Sequence, residues 1–358
     1  MKKILEARGQ QAEDILGVLK CVATADGELE LHEIHRATLH AMSAHLFQSE
    51  IDVDQIDGTI EGAAEQVVDV ELRQEVMNMA GILPFLEEEH KETRVDVLAR
   101  LGNAFGFNKK FARELHKLCH EAVVELTICM LRPSTVLAGR SLTGLTLKFA
   151  EGPLHLDGDR KVLAQYERYR DLDDHIFAKV LTKYYDDNRF PLPGTPHAPF
   201  SNGLKVHDMH HVLQGYPTTP LGETCVIAFD GALSNMDLGK ALIAYVAQFQ
   251  VGLQFDKSLP MWRNQFKPDI VIGAYERGGK CTTNFVELGF DMSGYLEQPL
   301  EDVRAQFNIV PEGMLVTSPD DLWCGDMGLV GQRDSPDMVT KKATWLQRML
   351  DGLNVKKD

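Results

Sequence analysis

From about residue 10 to residue 131 the chain holds apolar residues at helical spacing almost without interruption, and this restricts its fold more than any other feature. Ile15, Leu16, Leu19 and Val22 recur at the three-and-four spacing that lines one face of a 3.6-residue helix, and Ile34, Thr38, Leu39 and Met42 line another. No convincing period-two strand pattern breaks the run. Its punctuation is turn chemistry: Ala25-Asp26-Gly27-Glu28, Asp57-Gly58 and Gly106-Phe107-Asn108. The sequence therefore predicts an all-α protein whose first 131 residues form a helical bundle. An acidic turn opening an amphipathic helix at Ala25 is echoed at Leu83, too faintly to define a repeat.

At 358 residues the chain exceeds one ordinary domain, and two helical domains are expected. The net charge of −16 argues against a nucleic-acid partner, whose footprint would be clustered Lys and Arg. Six cysteines without a C-x-x-C spacing read as thiols in a reducing compartment. Charged and polar residues continue through Asp14, so no signal-peptide core follows the basic start. The most apolar stretch, Leu238 to Phe255, is broken by Lys240, Gln248, Gln250 and Gly252, and reads as a buried helix. A cytoplasmic location follows, with any membrane contact peripheral.

Arg132-Pro133 marks the first strong boundary, because proline disfavours helix in the residue before it. Domains are expected over 1–131 and 132–315, with an extension over 316–358 that includes Trp323, Cys324 and Trp345. Helix should resume from Asp159 to Tyr185, with Val162, Tyr166, Tyr169 and Leu172 on one face. The run from Asn188 to Gly203 carries four prolines and two glycines, a loop of the length that usually covers something functional. Beyond Glu223 the chain again reads as helical, to about Gln254.

That loop leads into "KVHDMHHVLQGYPTTPLGE". His207 and His211 are four apart, so on a helix they stack on one face within reach of one ion. Asp208 lies about 100° round the helix from His207, where its carboxylate either ligates or orients a ligand histidine. Gly215, Pro217 and Pro220 end that helix, and Thr219-Pro220 is a cap-plus-first-position start for the next, with Glu223 in its first turn. Two imidazoles and one or two carboxylates around one divalent ion is the composition of catalytic zinc and non-haem Fe(II) sites. His210 belongs to the same cluster, as a contact to the ion or substrate or simply as a solvent-facing or core-satisfied imidazole.

His207-Asp208-x-x-His211 followed after eleven residues by Glu223 resembles the metal motif of the coenzyme Q biosynthesis protein 4 homologues. "YLEQPLEDVRAQFNIVPE" from Tyr295 resembles that family's closing segment, so the likeness spans Pro133 to Glu312. The resemblance implies an all-α domain, a metal ion held by His207, Asp208, His211 and Glu223, and a hydrophobic site for a polyprenyl tail. It also implies modification of a quinone head group by decarboxylation or hydroxylation, and association with other quinone-biosynthesis proteins. The family is usually a single domain, whereas this chain adds about 130 N-terminal residues, so another prenylated quinone fits as well.

"LKCVATADGELELHEIHRATLHAM" resembles the opening of the TerB-like tellurite-resistance family, with Asp26, Glu28, Glu30 and Glu33 as its acidic group. That resemblance implies a sensory or docking domain. Segments Val226 to Phe229 and Leu242, Tyr245, Val246 and Phe249 line either an isoprenoid pocket or plain core, with Asp230 and Asp237 as polar contacts. Arg263 and Arg304 are candidate anion anchors. Gly278-Gly279 lacks the spacing of a nucleotide-binding loop.

The expectation is a metal-dependent protein acting on a prenylated aromatic or quinone lipid, with one divalent ion, Zn or Fe(II), and Asp208 as ligand or general base. The competing expectation is a non-catalytic isoprenoid-binding scaffold, and a homodimer is compatible with either. A TerB-led stress-response module whose C-terminal half has lost its chemistry is a third.

Overall fold

The computed structural model describes residues 3–107, 159–195, 202–253, 262–287 and 289–325, with the side chains of the 202–253 segment described from residue 206 onward. Among these residues the chain is all-α: twelve α-helices and three short 3₁₀ turns, with isolated bridges in place of any strand. No described helix is long and apolar enough to cross a membrane. The boundary expected at Arg132-Pro133, Trp345 and the middle of the proline-rich loop lie outside the described residues.

The described chain divides into two compact units that interleave along the sequence. Unit 1 takes residues 3–107, 220–253, 262–287, 289–290 and 307–313; unit 2 takes 159–195, 202–219, 291–306 and 314–325.

Unit 1 begins with α1 (Gln10–Ala23), α2 (Glu33–His45), α3 (Ala63–Gln66), α4 (Val70–Ala80) and α5 (Lys91–Ala104). Ile15, Leu16, Leu19 and Val22 of α1 are fully buried, as their spacing predicts. α1 ends where Ala25, Asp26 and Gly27 turn left-handed, and Asp69 starts α4 by accepting the Glu71 and Leu72 amides.

The same unit includes α9 (Pro220–Leu233), α10 (Leu238–Phe249) and α11 (Pro268–Lys280). The single helix expected from Glu223 to Gln254 is two, because Asn235 turns left-handed (φ 58°) and Asp237 stands at the start of α10. Two glycines permit this packing. A Cβ on Gly239 would lie 1.7 Å from the Asn78 carbonyl of α4, and one on Gly278 would lie 2.2 Å from the Phe229 carbonyl of α9. Around them Asn78 donates to Asp237 at 2.7 Å, and His45 of α2 bridges Glu276 at 2.8 Å and Asp269 at 3.0 Å on α11.

Unit 2 contains α6 (Arg160–Tyr169), α7 (Phe177–Asp187) and α8 (Asn202–Gln214). The continuous helix expected from Asp159 to Tyr185 stops at Tyr169 and restarts at Phe177. Between them Asp171, Asp173 and Asp174 are exposed, a run of like charges that gains nothing from helical stacking. The core is aromatic: Tyr166, Tyr169, Tyr184, Tyr185 and Trp323 are all buried, with Tyr166 and Tyr185 edge to face at 5.9 Å. Leu300–Phe307 forms α12, most of which belongs to this unit.

Candidate metal centre

α8 carries the histidine pair, and its ending explains why the pair is held so closely. Gly215, at φ 77°, takes the left-handed position after the last turn, and the Gly215 and Tyr216 amides both donate to the His211 carbonyl. Arg304 donates to the neighbouring carbonyls of Val212 and Leu213 at 2.7 and 3.0 Å. A guanidinium at a helix C-terminus satisfies carbonyls that have no partner within the helix. Arg304 thus stabilises the end of α8, where the sequence suggested an anion anchor. Arg263, the other candidate, pairs with Glu88 in unit 1 and draws that carboxylate's pKa down.

On this helix the Nε2 atoms of His207 and His211 lie 3.2 Å apart, with the rings edge to face. His211 is fully buried, and its Nδ1–H donates to the Tyr216 carbonyl at 2.9 Å. A carbonyl only accepts, so the proton sits on Nδ1 and Nε2 presents its lone pair towards His207. An imidazole fixed in this way by a backbone carbonyl is the usual arrangement of a metal-ligating histidine. The 3.2 Å spacing also matches the roughly 3.3 Å between neighbouring ligands of a tetrahedral ion with metal–nitrogen bonds of about 2.0 Å.

Asp208 is 6% exposed and is gripped by two phenols that sequence reasoning did not single out. Tyr185 donates to its Oδ2 at 2.7 Å and Tyr184 to its Oδ1 at 3.1 Å, while Thr218 in turn donates to the Tyr184 hydroxyl at 3.1 Å. Burial pushes the Asp208 carboxyl above its ordinary pKa, and His207, Tyr185, His211 and Tyr184 pull against that shift. The Tyr185 phenol rises well above its usual value, from burial first and then from the Asp208 charge. Tyr184 also packs against the His211 ring at 5.6 Å and against Trp323 at 6.1 Å, and the Trp323 carbonyl accepts the Thr218 amide at 2.7 Å. The neighbouring tyrosines of α7 were the available sequence signal, but nothing local ties them to Asp208. His210 is buried on the same helix.

Glu223 stands in the first turn of α9 in unit 1, half-buried, as the Thr219-Pro220 start predicts. The Tyr245 phenol of that unit is raised in pKa by burial, then by Glu223 and Asp230. The apolar residues suggested for an isoprenoid pocket pack as core within unit 1: Val226, Phe229, Leu242, Val246 and Phe249 are buried, with Phe229 stacked on Phe285 and Phe249 edge to face with Trp262. Asp237 is likewise committed to Asn78 and to Lys240 at 2.9 Å.

In the acidic turn of unit 1, Asp26 is ion-paired with Arg100 at 2.6 Å, while Glu28, Glu30 and Glu33 are exposed. A different group there can hold a metal ion: His32, His35 and Glu87 each offer a ligand atom, all within 4.8 Å of one another. Burial, then the charge of Arg94, pushes the His35 imidazole down to about 4, so it is neutral at ordinary pH.

No protein-family model matches the chain, and no curated protein matches it.

Proposed function

We propose that the chain is a metal-dependent protein acting on a prenylated aromatic or quinone lipid, with His207, His211 and Glu223 as ligands of one divalent ion and Asp208 as the base beside it. One observation carries the reading: two imidazole nitrogens 3.2 Å apart, one of them aimed by a backbone carbonyl, next to a buried carboxylate. Glu223 enters through the motif, whose eleven-residue spacing the chain keeps. The substrate class enters through the family resemblance, which the same residues carry.

A bound Fe(II) would supply oxygen binding and redox chemistry, and a bound Zn(II) would supply Lewis acidity. The chain's own residues do the rest. Tyr184 and Tyr185 hold the Asp208 carboxylate in one orientation, and burial raises its proton affinity above that of an ordinary carboxylate. The Tyr216 carbonyl holds the proton of His211 on Nδ1. Replacement of a ring carboxylate by hydroxyl releases CO₂ and takes one oxygen atom from O₂; the second oxygen atom leaves as water, with two electrons and two protons from an external reductant.

The test is elemental analysis of the purified full chain and of His211→Ala, followed by turnover of a prenylated hydroxybenzoate with Fe(II), Mn(II) or Zn(II). One metal equivalent lost in His211→Ala, with turnover in the wild type, is the expected result. Wild-type protein that binds prenyl lipid and never turns it over under any metal overturns the enzymatic reading in favour of a lipid-binding scaffold.

A further inference from the structure

The second histidine pair lies wholly within unit 1 and owes nothing to the motif on α8. His32 is the N-cap of α2, exposed, its Nδ1 accepting the Ile34 amide at 3.3 Å. One helical turn on, His35 is fully buried. Its Nε2–H donates to the Leu83 carbonyl at 2.9 Å, which places the proton on Nε2 and leaves Nδ1 as a bare lone pair. That Nδ1 is buried and has no hydrogen-bond partner. A buried acceptor without a donor is rare in folded proteins and asks for an explanation, an ion among them.

The 3₁₀ turn Leu83–Phe85 that supplies the carbonyl also delivers Glu87 to the same place. Arg94, itself 1% exposed, donates to Glu87 Oε2 at 2.6 Å and to the carbonyls of Ala23 and Glu89 at 2.8 and 2.9 Å. The guanidinium fixes the carboxylate by one oxygen, and the charges of the pair balance each other.

We propose that His32, His35 Nδ1 and Glu87 form a second divalent-metal site, independent of the one on α8, for a borderline transition ion such as Zn(II) or Co(II). Two imidazoles and one carboxylate suit such ions, whereas Mg(II) and Ca(II) take oxygen ligands. The three ligand atoms close from within 4.8 Å to the roughly 3.3 Å of a tetrahedral shell chiefly by movement of the exposed His32 ring. The Leu83 carbonyl on the far nitrogen of His35 is the outer partner that metal-bound histidines ordinarily have. Binding would tie the start of α2 to the 83–87 segment, so metal stabilises the folded chain by mass action.

The test uses the full chain in a His207→Ala background, which removes the half-buried member of the pair on α8 and leaves unit 1 intact. Co(II) is titrated by its visible absorption and then displaced with Zn(II), and the melting temperature is read with and without Zn(II). The expected result is one equivalent of Co(II) and a Zn(II)-dependent rise in melting temperature. Both are weakened at least tenfold or lost in His32→Ser, which keeps a capping hydroxyl, and in Glu87→Gln. The exposed His40→Ala, on the same helix, changes neither. Failure of the background protein to bind Co(II), or affinity unchanged in both His32→Ser and Glu87→Gln, overturns the proposal.

Discussion

The two histidine clusters are built on the same local device and differ in what surrounds it. Each places two imidazoles one helical turn apart and anchors one ring by a backbone carbonyl: Tyr216 for His211, Leu83 for His35. In unit 2 the neighbouring carboxylate, Asp208, is held by neutral phenols. In unit 1 the neighbouring carboxylate, Glu87, is held by a buried guanidinium. A phenol leaves the carboxylate's full negative charge to a cation or a proton, whereas the guanidinium offsets part of the Glu87 charge through Oε2 and fixes the carboxylate in place. Under the two proposals above, the difference assigns proton handling to the cluster of unit 2 and structural clamping to that of unit 1.

The largest expected effect separates the two surroundings. Arg94→Met leaves the Ala23 and Glu89 carbonyls and the Glu87 carboxylate without their buried donor, and should lower stability by about 3–5 kcal/mol. Denaturant unfolding measures it. A loss under about 1 kcal/mol would show that the guanidinium is dispensable and the contrast false.

Tyr185→Phe should cost less, about 1–3 kcal/mol, by removing the shorter bond to Asp208. It should also raise the Asp208 pKa further, since that bond opposes the shift. Because the folded state holds the Asp208 proton more tightly than the unfolded one, stability falls as pH rises from the ordinary carboxylate value through that of Asp208. Unfolding curves at a series of pH values, with chelator present, should show this fall steepened in Tyr185→Phe. An unchanged slope would mean that the phenol does not govern the carboxylate. Tyr184→Phe, which breaks the longer bond, should move in the same direction and less far.

The smallest effect has the opposite sign and belongs to unit 1. Burial raises Glu276, but Lys280 and His45 outweigh it and hold its pKa below the ordinary value of 4.5. Its contribution is therefore present above 4.5 and lost as pH falls through the depressed value. Glu276→Gln should flatten that acid loss by about 0.5–1 kcal/mol, measured as the difference in unfolding free energy between neutral and acid pH. A steeper acid loss in the variant would break the assigned sign.

The pair on α8 was legible in the sequence because it depends only on the helical period, which brings residues four apart onto one face. Glu223 was legible in a first helical turn for an equally local reason, the Thr219-Pro220 start of its helix. Tyr184 and Tyr185 were not legible as partners of Asp208, because more than twenty residues separate them and only the packing of α7 against α8 brings hydroxyl to carboxylate. His32 and His35 stand in plain view at helical spacing. Their significance depends on Leu83, 48 residues beyond His35, and on an orphaned nitrogen that no local pattern encodes.

Sequence by itself determined that this chain is helical, where several turns fall, and that His207 and His211 face the same way, because each follows from interactions within a few residues. Tertiary structure alone decided that α9, α10 and α11 pack into one unit with α1 to α5 through Gly239, Asn78 and His45. It decided likewise that the apolar residues of α9 and α10 are core, and that Asp208 is buried between two phenols. Amphipathic periodicity states that a helix face must be covered; the shapes and hydrogen-bonding groups of distant segments determine what covers it.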